Sequence, residues 1–574
     1  MGALTLSTSL LLSPGCKPKP NTAASQTALA PFTAKLTEIE GVQAIYTLRH
    51  PKLILADLDK LMAEVPEASL ARMFLGQLTP YGYPEFSEIA AGSNVGVVML
   101  EVTPEEIETG SPTLVGFAKL KENGKIWTAL VQSGLAVEKR GEWTLIAQDA
   151  SSFAKIKVPA AITAHLDQPQ TEEVRAWGRV SPALLAKAKT AVFSKLETSL
   201  ASRSAAEQKA IAAYADVVWG YLSQIHSLGG FLDLNDQGIA FGYSGQFQPE
   251  SSLGVLLRHA PGPEPKIAKS VPADGLMSVV IRQNIPAQMT FVNGLFDALI
   301  AVDYPAGAEA LRTAKAGYLS LTKNGDGGAV MTMSMNLPKG TQAPEVTMFG
   351  VNSGNFAEAD VLAGYKATAD LSQKFTTAIL ASVSSLAPGS PKPEVRQQLT
   401  ENALTIDGTR FGSLITTTKV SGEDELTTST TQYFGVVGGN LVYATSEAAL
   451  REKLPALGSK RDVPNPVKLS FANDEIMVMA LNGEKIVDMV VASAGVDLTD
   501  ADIQAQIQTL KQGYASADPV KMTVSGSQAK AAINIFVPYK FISQSTRLGQ
   551  FAVANKAAES TPASTMPATT EEAE

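Results

Sequence analysis

The chain has 574 residues, 45% of them hydrophobic and 18% charged, with a net charge of -9 from 47 basic and 56 acidic side chains. That composition suits a folded protein of roughly two to four ordinary domains. With aromatic residues at only 6%, aliphatic packing must supply most of the core. No block of Lys and Arg is present to neutralise phosphates, which argues against nucleic-acid binding. A single cysteine excludes a CxxC motif, a Cys-rich zinc site, an iron–sulfur cluster and an internal disulfide.

Residues 3–12, Ala-Leu-Thr-Leu-Ser-Thr-Ser-Leu-Leu-Leu, form a short apolar stretch. A bilayer-spanning helix needs about 20 apolar residues, so this stretch fits the apolar region of a signal peptide instead. It leads into Ser13-Pro14-Gly15-Cys16. The small Gly15 directly before Cys16 resembles the lipobox of bacterial lipoproteins. The resemblance implies cleavage before Cys16, lipidation of its thiol, and anchoring to a membrane of the bacterial envelope on its periplasmic or other extracytoplasmic face. Pro14, the early Leu12 and the lack of a basic residue before the apolar region depart from the pattern. Residues 1–15 are thus expected to be a signal peptide, and the polar, Pro-bearing residues 16–35 a tether.

Gln43–Pro51 reads as a strand and a Pro turn, and Leu55–Val65 as an amphipathic helix. Val95–Val102 and Leu114–Leu120 alternate as strands. Arg140–Ile156 holds a turn at Gly141, an apolar strand and a polar cap before a short helix. Glu173–Pro182 is a strand entering a helical region. There Leu185, Ala188, Val192 and Leu196, and then Ile211, Val218, Leu222 and Ile225, recur at helical spacing. The polar Ser199–Ser204 splits the region into a helical hairpin. Gly230–Phe247 alternates around a turn as a β-hairpin.

The same order then returns. Leu276–Pro286 leads into Phe291–Ile300, and Gly328–Leu337 and Glu345–Asn352 alternate as strands. Gly438–Leu454 repeats the turn, strand, cap and helix around Gly439. Glu475–Gly483 enters a helix, and Val520–Val537 closes as a hairpin. Several matches in one order, at an offset of roughly 230 to 300 residues, indicate internal duplication. The expected organisation is module 1 at 36–262, a Pro-rich linker at 263–269, module 2 at 270–556 and a low-complexity acidic tail at 557–574. The expected class is α+β, with two similar modules of mostly antiparallel sheet and interspersed helices. Val271-Pro-Ala-Asp-Gly-Leu-Met277 and the run from Gly439 to Leu450, with the strand–helix pieces around them, resemble a family of exported bacterial proteins catalogued as a domain of unknown function. That resemblance covers most of the folded part and implies export. It carries no catalytic residue.

Motifs for chemistry are sparse. His50, His165, His226 and His259 show no metal-ligand spacing. Gly242-Tyr-Ser-Gly245 lacks the spacing of a nucleophile elbow and sits in the expected hairpin. Lys323–Ala329 lacks the Gly-Lys-Ser/Thr of a phosphate loop, and its Asn-Gly and Asp-Gly pairs read as hairpin turn residues. Asp497, Asp500 and Asp502 lack the glycine and terminal Glu of a calcium loop and read as the acidic start of a helix. Glu105-Glu106 and Asp57/Asp59 read as solvated faces. Two features fit an apolar groove: the alternating Met331, Met333 and Met335, and the helical Trp219 and Tyr221. A sheet face on an ordinary core and plain helix packing are the simpler readings of both.

No cofactor, metal or enzymatic activity is expected. The favoured reading is a non-enzymatic cell-envelope lipoprotein with a binding or structural role, attached to the membrane through Cys16 and meeting a protein partner. The alternatives are a carrier of a lipid or other apolar ligand, and a hydrolase with dispersed carboxylates. An exposed apolar patch over a packed interior favours the first, a deep apolar cavity the second, and a polar cleft with convergent acids the third.

Overall fold

The computed structural model describes residues 39–64, 83–103, 106, 111–201, 205–259, 261–271, 274–302, 305–336, 345–371, 392–421, 426–458, 471, 474–494 and 499–559. Cys16, the expected signal peptide and the tether lie outside them. So do Glu105 and Asp497.

The first half of the chain carries strands β1 (Val42–Leu48), β2 (Val95–Leu100), β3 (Leu114–Ala118), β4 (Ala136–Arg140), β5 (Trp143–Ala147), β6 (Val174–Arg179), β7 (Ile225–Asn235) and β8 (Gly238–Phe247). The second carries β9 (Met277–Arg282), β10 (Gly325–Asn336), β11 (Glu345–Gly354), β12 (Lys392–Ile406), β13 (Thr409–Ser421), β14 (Leu426–Val437), β15 (Asn440–Ala444), β16 (Glu475–Leu481), β17 (Val520–Ser527) and β18 (Lys530–Pro538). All join one 18-stranded antiparallel sheet, and helices fill the connections, so the class is α+β.

From edge to edge the strands run β4-β5-β3-β2-β1-β6-β7-β8 and continue as β18-β17-β16-β9-β10-β11-β15-β14-β13-β12. Read outwards from the β8–β18 seam, both halves have the same connectivity. The β12–β13 hairpin is an addition to the second. The seam is itself two-fold. Asn235 and Gly238 flank the turn of one hairpin, and Ser527 and Lys530 that of the other. Counted from these turns, Gly242 corresponds to Asn534, the residue it pairs with.

One face of the sheet holds the two main cores. In the first half Ile45, Val98, Val115, Phe117 and Leu145 pack beneath Phe153 and beneath Ile162 and Leu166 of helix α3 (Pro159–Leu166). In the second, Val280, Val330, Phe349, Val351 and Val442 pack beneath Leu450 and Leu454 of α10 (Glu447–Gly458). Each fully buried side chain of this size contributes about 1.5–3 kcal/mol of hydrophobic stabilisation.

The opposite face is covered over β13–β15, where Phe356, Val361 and Tyr365 pack on Leu414, Phe434 and Leu441 and the Tyr365 ring stacks on that of Phe434; other helices pack on it towards the strand ends. At one end α1 (Pro51–Glu64) sets Leu58 and Leu61 against Leu234 and against Tyr539, which opens α13 (Tyr539–Glu559). At the other, α6 (Ser252–Leu256) and α7 (Ile285–Ile300) pack Leu253, Leu256 and Ala287 with Phe247 and Ala531. Helices α11 (Gly483–Ala494) and α12 (Ala501–Ala515) build a further core with α13. The remaining longer helices are α2 (Lys125–Gln132), α4 (Pro182–Leu200), α5 (Ala205–Leu222), α8 (Pro305–Thr322) and α9 (Glu358–Leu371).

Local chemistry places several helix starts. Ser181 accepts a hydrogen bond from Leu184 N, Asn284 from Ala287 N, and Asp500 from Asp502 N and Ile503 N. Each satisfies donors that the first turn leaves free. Asp500 and Asp502 therefore do start a helix.

Four expectations need correction. Residues 323–324 are a turn from α8 into β10 rather than a hairpin turn, because the helix ends at Thr322 and the strand begins at Gly325. Asp57 is not on a solvated face: it pairs with Arg49, which also reaches the buried Glu173 at 2.9 Å. Glu106 accepts from Thr103 N at 2.9 Å while Glu106 N donates back to Thr103 Oγ1, a reciprocal capping box. The bond from Thr103 N, then those from the Thr113 hydroxyl and the Lys155 ammonium, hold its carboxyl down at about 2. Finally, residues 557–559 of the expected tail are the last residues of α13.

Candidate functional site

Successive side chains of a strand point to opposite faces, so the pairing register decides which residues share the partly uncovered face. One transverse row of that face runs Val97, Tyr46, Ala176, Gly230, Tyr243 and Ile533 across β2, β1, β6, β7, β8 and β18. Tyr46 is 49% exposed and Tyr243 70% exposed. Leu48, Leu114 and Leu228 on the same face are also exposed. None of the six row residues is charged. The strands beneath them are paired on both sides, so their backbone N–H and C=O groups are spent in the ladders. The surface offers apolar contact and the phenol groups of two tyrosines. Contiguous exposed apolar surface of this kind marks binding sites in soluble proteins.

In the second half the same face is methionine-rich. Met277, Met331, Met333, Met348, Met477, Met479 and Met522 all point to it. Met331, Met277, Met479 and Met522 pack with Val279, Met477 and Val524 into one cluster. Met335, opposite Val346, lies further along the same side of β10. The three methionines singled out in the sequence are thus together on one face, with partners from β9, β16 and β17 that local sequence does not reveal.

Trp219 and Tyr221 lie elsewhere. Both are on α5, where Tyr221 meets Phe291 of α7 edge-on, with ring centroids 5.4 Å apart. Tyr221 belongs to the α6–α7 cluster, separate from that of Met331. Burial pushes its phenol above the usual tyrosine value. Cys16 lies outside the described residues.

The face over Tyr46 and Tyr243 escaped sequence reasoning. Its residues come from six strands between positions 46 and 533. The available signal was the alternation of Val95–Leu100 and of Gly230–Phe247, which marks strands but not which of their faces stays open.

On the other side of the sheet a polar cavity of about 210 Å³ is lined by Asp274, Thr332, Ser334, Thr347, Glu452, Lys453 and Lys485, among others. The Lys453 ammonium donates to both Asp274 oxygens at 2.7 and 2.6 Å and to Glu452 at 2.7 Å. Burial works against its charge, but these two carboxylates outweigh it and hold Lys453 above the ordinary lysine value. The acids here converge on a lysine of the same chain, and that ion pair satisfies all three of its protons.

Among the described residues no group of three or more His, Cys, Asp or Glu side chains is placed to hold a metal ion. No described helix is long and apolar enough to cross a membrane. No family model matches the chain, and neither a curated protein nor a solved structure matches it.

Proposed function

We propose that this protein is a non-enzymatic binding protein of the bacterial cell envelope, tethered through a lipid on Cys16, which holds its partner against the apolar sheet face of its first half. The observation that carries this reading is the exposure of Tyr46 on β1 and of Leu228 and Tyr243 on β7 and β8, on one face of the sheet with β6 between. A protein gains by burying such a surface, at roughly 25 cal/mol per Å² of apolar area removed from water. The cell-envelope address rests on the lipobox-like Ser13-Pro14-Gly15-Cys16.

Photo-crosslinking in living cells tests the reading. A photoreactive residue in place of Tyr243 is expected to capture a discrete adduct. The same residue in place of Val553 on α13, equally exposed at 70%, is expected to capture none. Equal labelling at both positions, or none at either, would overturn the assignment of this face.

A further inference from the structure

The methionines on the second-half face are more than half of the 15 in the chain. Three of them stand side by side. Met333 of β10 is directly opposite Met348 of β11 on one flank and Met277 of β9 on the other. Opposed residues on one face of a sheet have Cβ atoms about 4.5–5.5 Å apart. Each thioether sulfur lies two bonds beyond its Cβ on a flexible stem, so the three sulfurs can turn to one point above Met333. All three side chains are half-buried, which leaves them open to an ion from solvent. Met331, Val279 and Leu481 border them on the same face and bring neither a charge nor an oxygen donor.

Packing alone does not call for methionine here. Strand faces favour β-branched and aromatic side chains, and a long flexible one loses more rotamer freedom on burial. The first half builds the same strands without the trio. Counted from the matched hairpins, Gly230 corresponds to Met522, and the ladders then relate Ala44 to Met277, Met99 to Met333 and Leu114 to Met348. One methionine between Ala44 and Leu114 is enough for the sheet there.

We infer that Met277, Met333 and Met348 form a site for a cuprous ion, held by three thioether sulfurs. A thioether is neutral, needs no deprotonation and offers a soft, polarizable donor, the ligand type that selects Cu(I). Calcium and magnesium take oxygen ligands, and zinc takes thiolate, imidazole or carboxylate, none of which stands among these residues. The site lies in the second half and stands independently of the face proposed for a partner in the first.

The test is an anaerobic titration with Cu(I), competed against the chromogenic chelator bathocuproine disulfonate. The full chain carries Cys16→Ala for this purpose, which removes its only thiol. One equivalent is expected, not displaced by zinc, with X-ray absorption showing sulfur ligands alone. Met277→Leu/Met333→Leu/Met348→Leu nearly conserves volume and should keep the fold. It should weaken Cu(I) binding by more than about tenfold, whereas Met99→Leu should leave the affinity unaltered. No Cu(I) retained against the chelator, equal retention by the folded triple variant, or an equal loss in Met99→Leu would overturn the inference. Should the triple variant not fold, the absorption spectrum of the loaded Cys16→Ala chain decides: sulfur alone around the ion supports the site, and a nitrogen or oxygen ligand removes it.

Discussion

His165 sits on α3, above the first core, where burial and then the charge of Arg175 lower its pKa from 6.5 to about 4. The folded protein therefore keeps the imidazole neutral where the unfolded chain protonates it. That contribution to stability is complete above pH 6.5 and is lost as pH falls from there towards 4. The thermal midpoint should drop between pH 7.5 and 5, and His165→Gln should reduce the drop. An equal drop in the variant would assign the pH dependence to other groups. Glu173 works in the opposite sense: burial raises its carboxyl despite the hydrogen bond from Leu234 N and the charge of Arg49. Neither environment is legible locally. His165 is one polar residue in an apolar helix, and Glu173 one of two adjacent acids. Only packing shows which of them leaves water.

Among the elements, the β17–β18 hairpin turns through Gln528 and Ala529 at φ of 52° and 62°. Two left-handed residues in a row suit a two-residue hairpin, but side chains other than those of Gly, Asn and Asp adopt that conformation at a cost. Gln528→Asn/Ala529→Gly should stabilise the protein by about 1 kcal/mol, read as a higher urea midpoint with an unchanged slope. No gain would mean that the buried methyl of Ala529 contributes as much as its backbone costs. Both closing hairpins were legible, because alternating apolar residues around a polar turn have no other compact use. The β12–β13 hairpin was not singled out, although its strands of 15 and 13 residues are the longest described. Their composition is rich in Thr and Gln, so alternation of apolar with polar is weak there.

For the whole molecule, the two halves share one sheet across the β8–β18 seam. A Cβ on Gly242 would lie 2.5 Å from Ile533 O and 2.7 Å from Asn534 Oδ1, too close for either strand to stay in place. Gly242→Val should force the seam apart and cost about 1–3 kcal/mol, the usual effect of overpacking. Calorimetry should show a lower midpoint for this variant. An unchanged midpoint would mean that the seam contributes nothing to stability. Glycine at this point is the structural use of the Gly242-Tyr-Ser-Gly245 motif, whose Tyr243 turns outwards to the apolar face.

The sequence by itself determined the α+β class, the duplicated order of elements and the limits of chemistry set by one cysteine and four histidines. Those features are written in periodicity, spacing and composition, which act along the chain. It also pointed to Met331, Met333 and Met335 as one side of a strand, since alternation alone assigns side chains to faces. Only the tertiary structure decided that the halves join through β8 and β18, and that Tyr46 and Tyr243 share a row with Ala176 and Gly230. A strand's pattern says that one side is apolar, but whether that side is covered depends on register and on helices that pack from distant parts of the chain. For that reason methionines over β9, β10, β16 and β17 and α9 over β13–β15 cover this face in the second half, while Tyr46, Leu228 and Tyr243 stay exposed in the first.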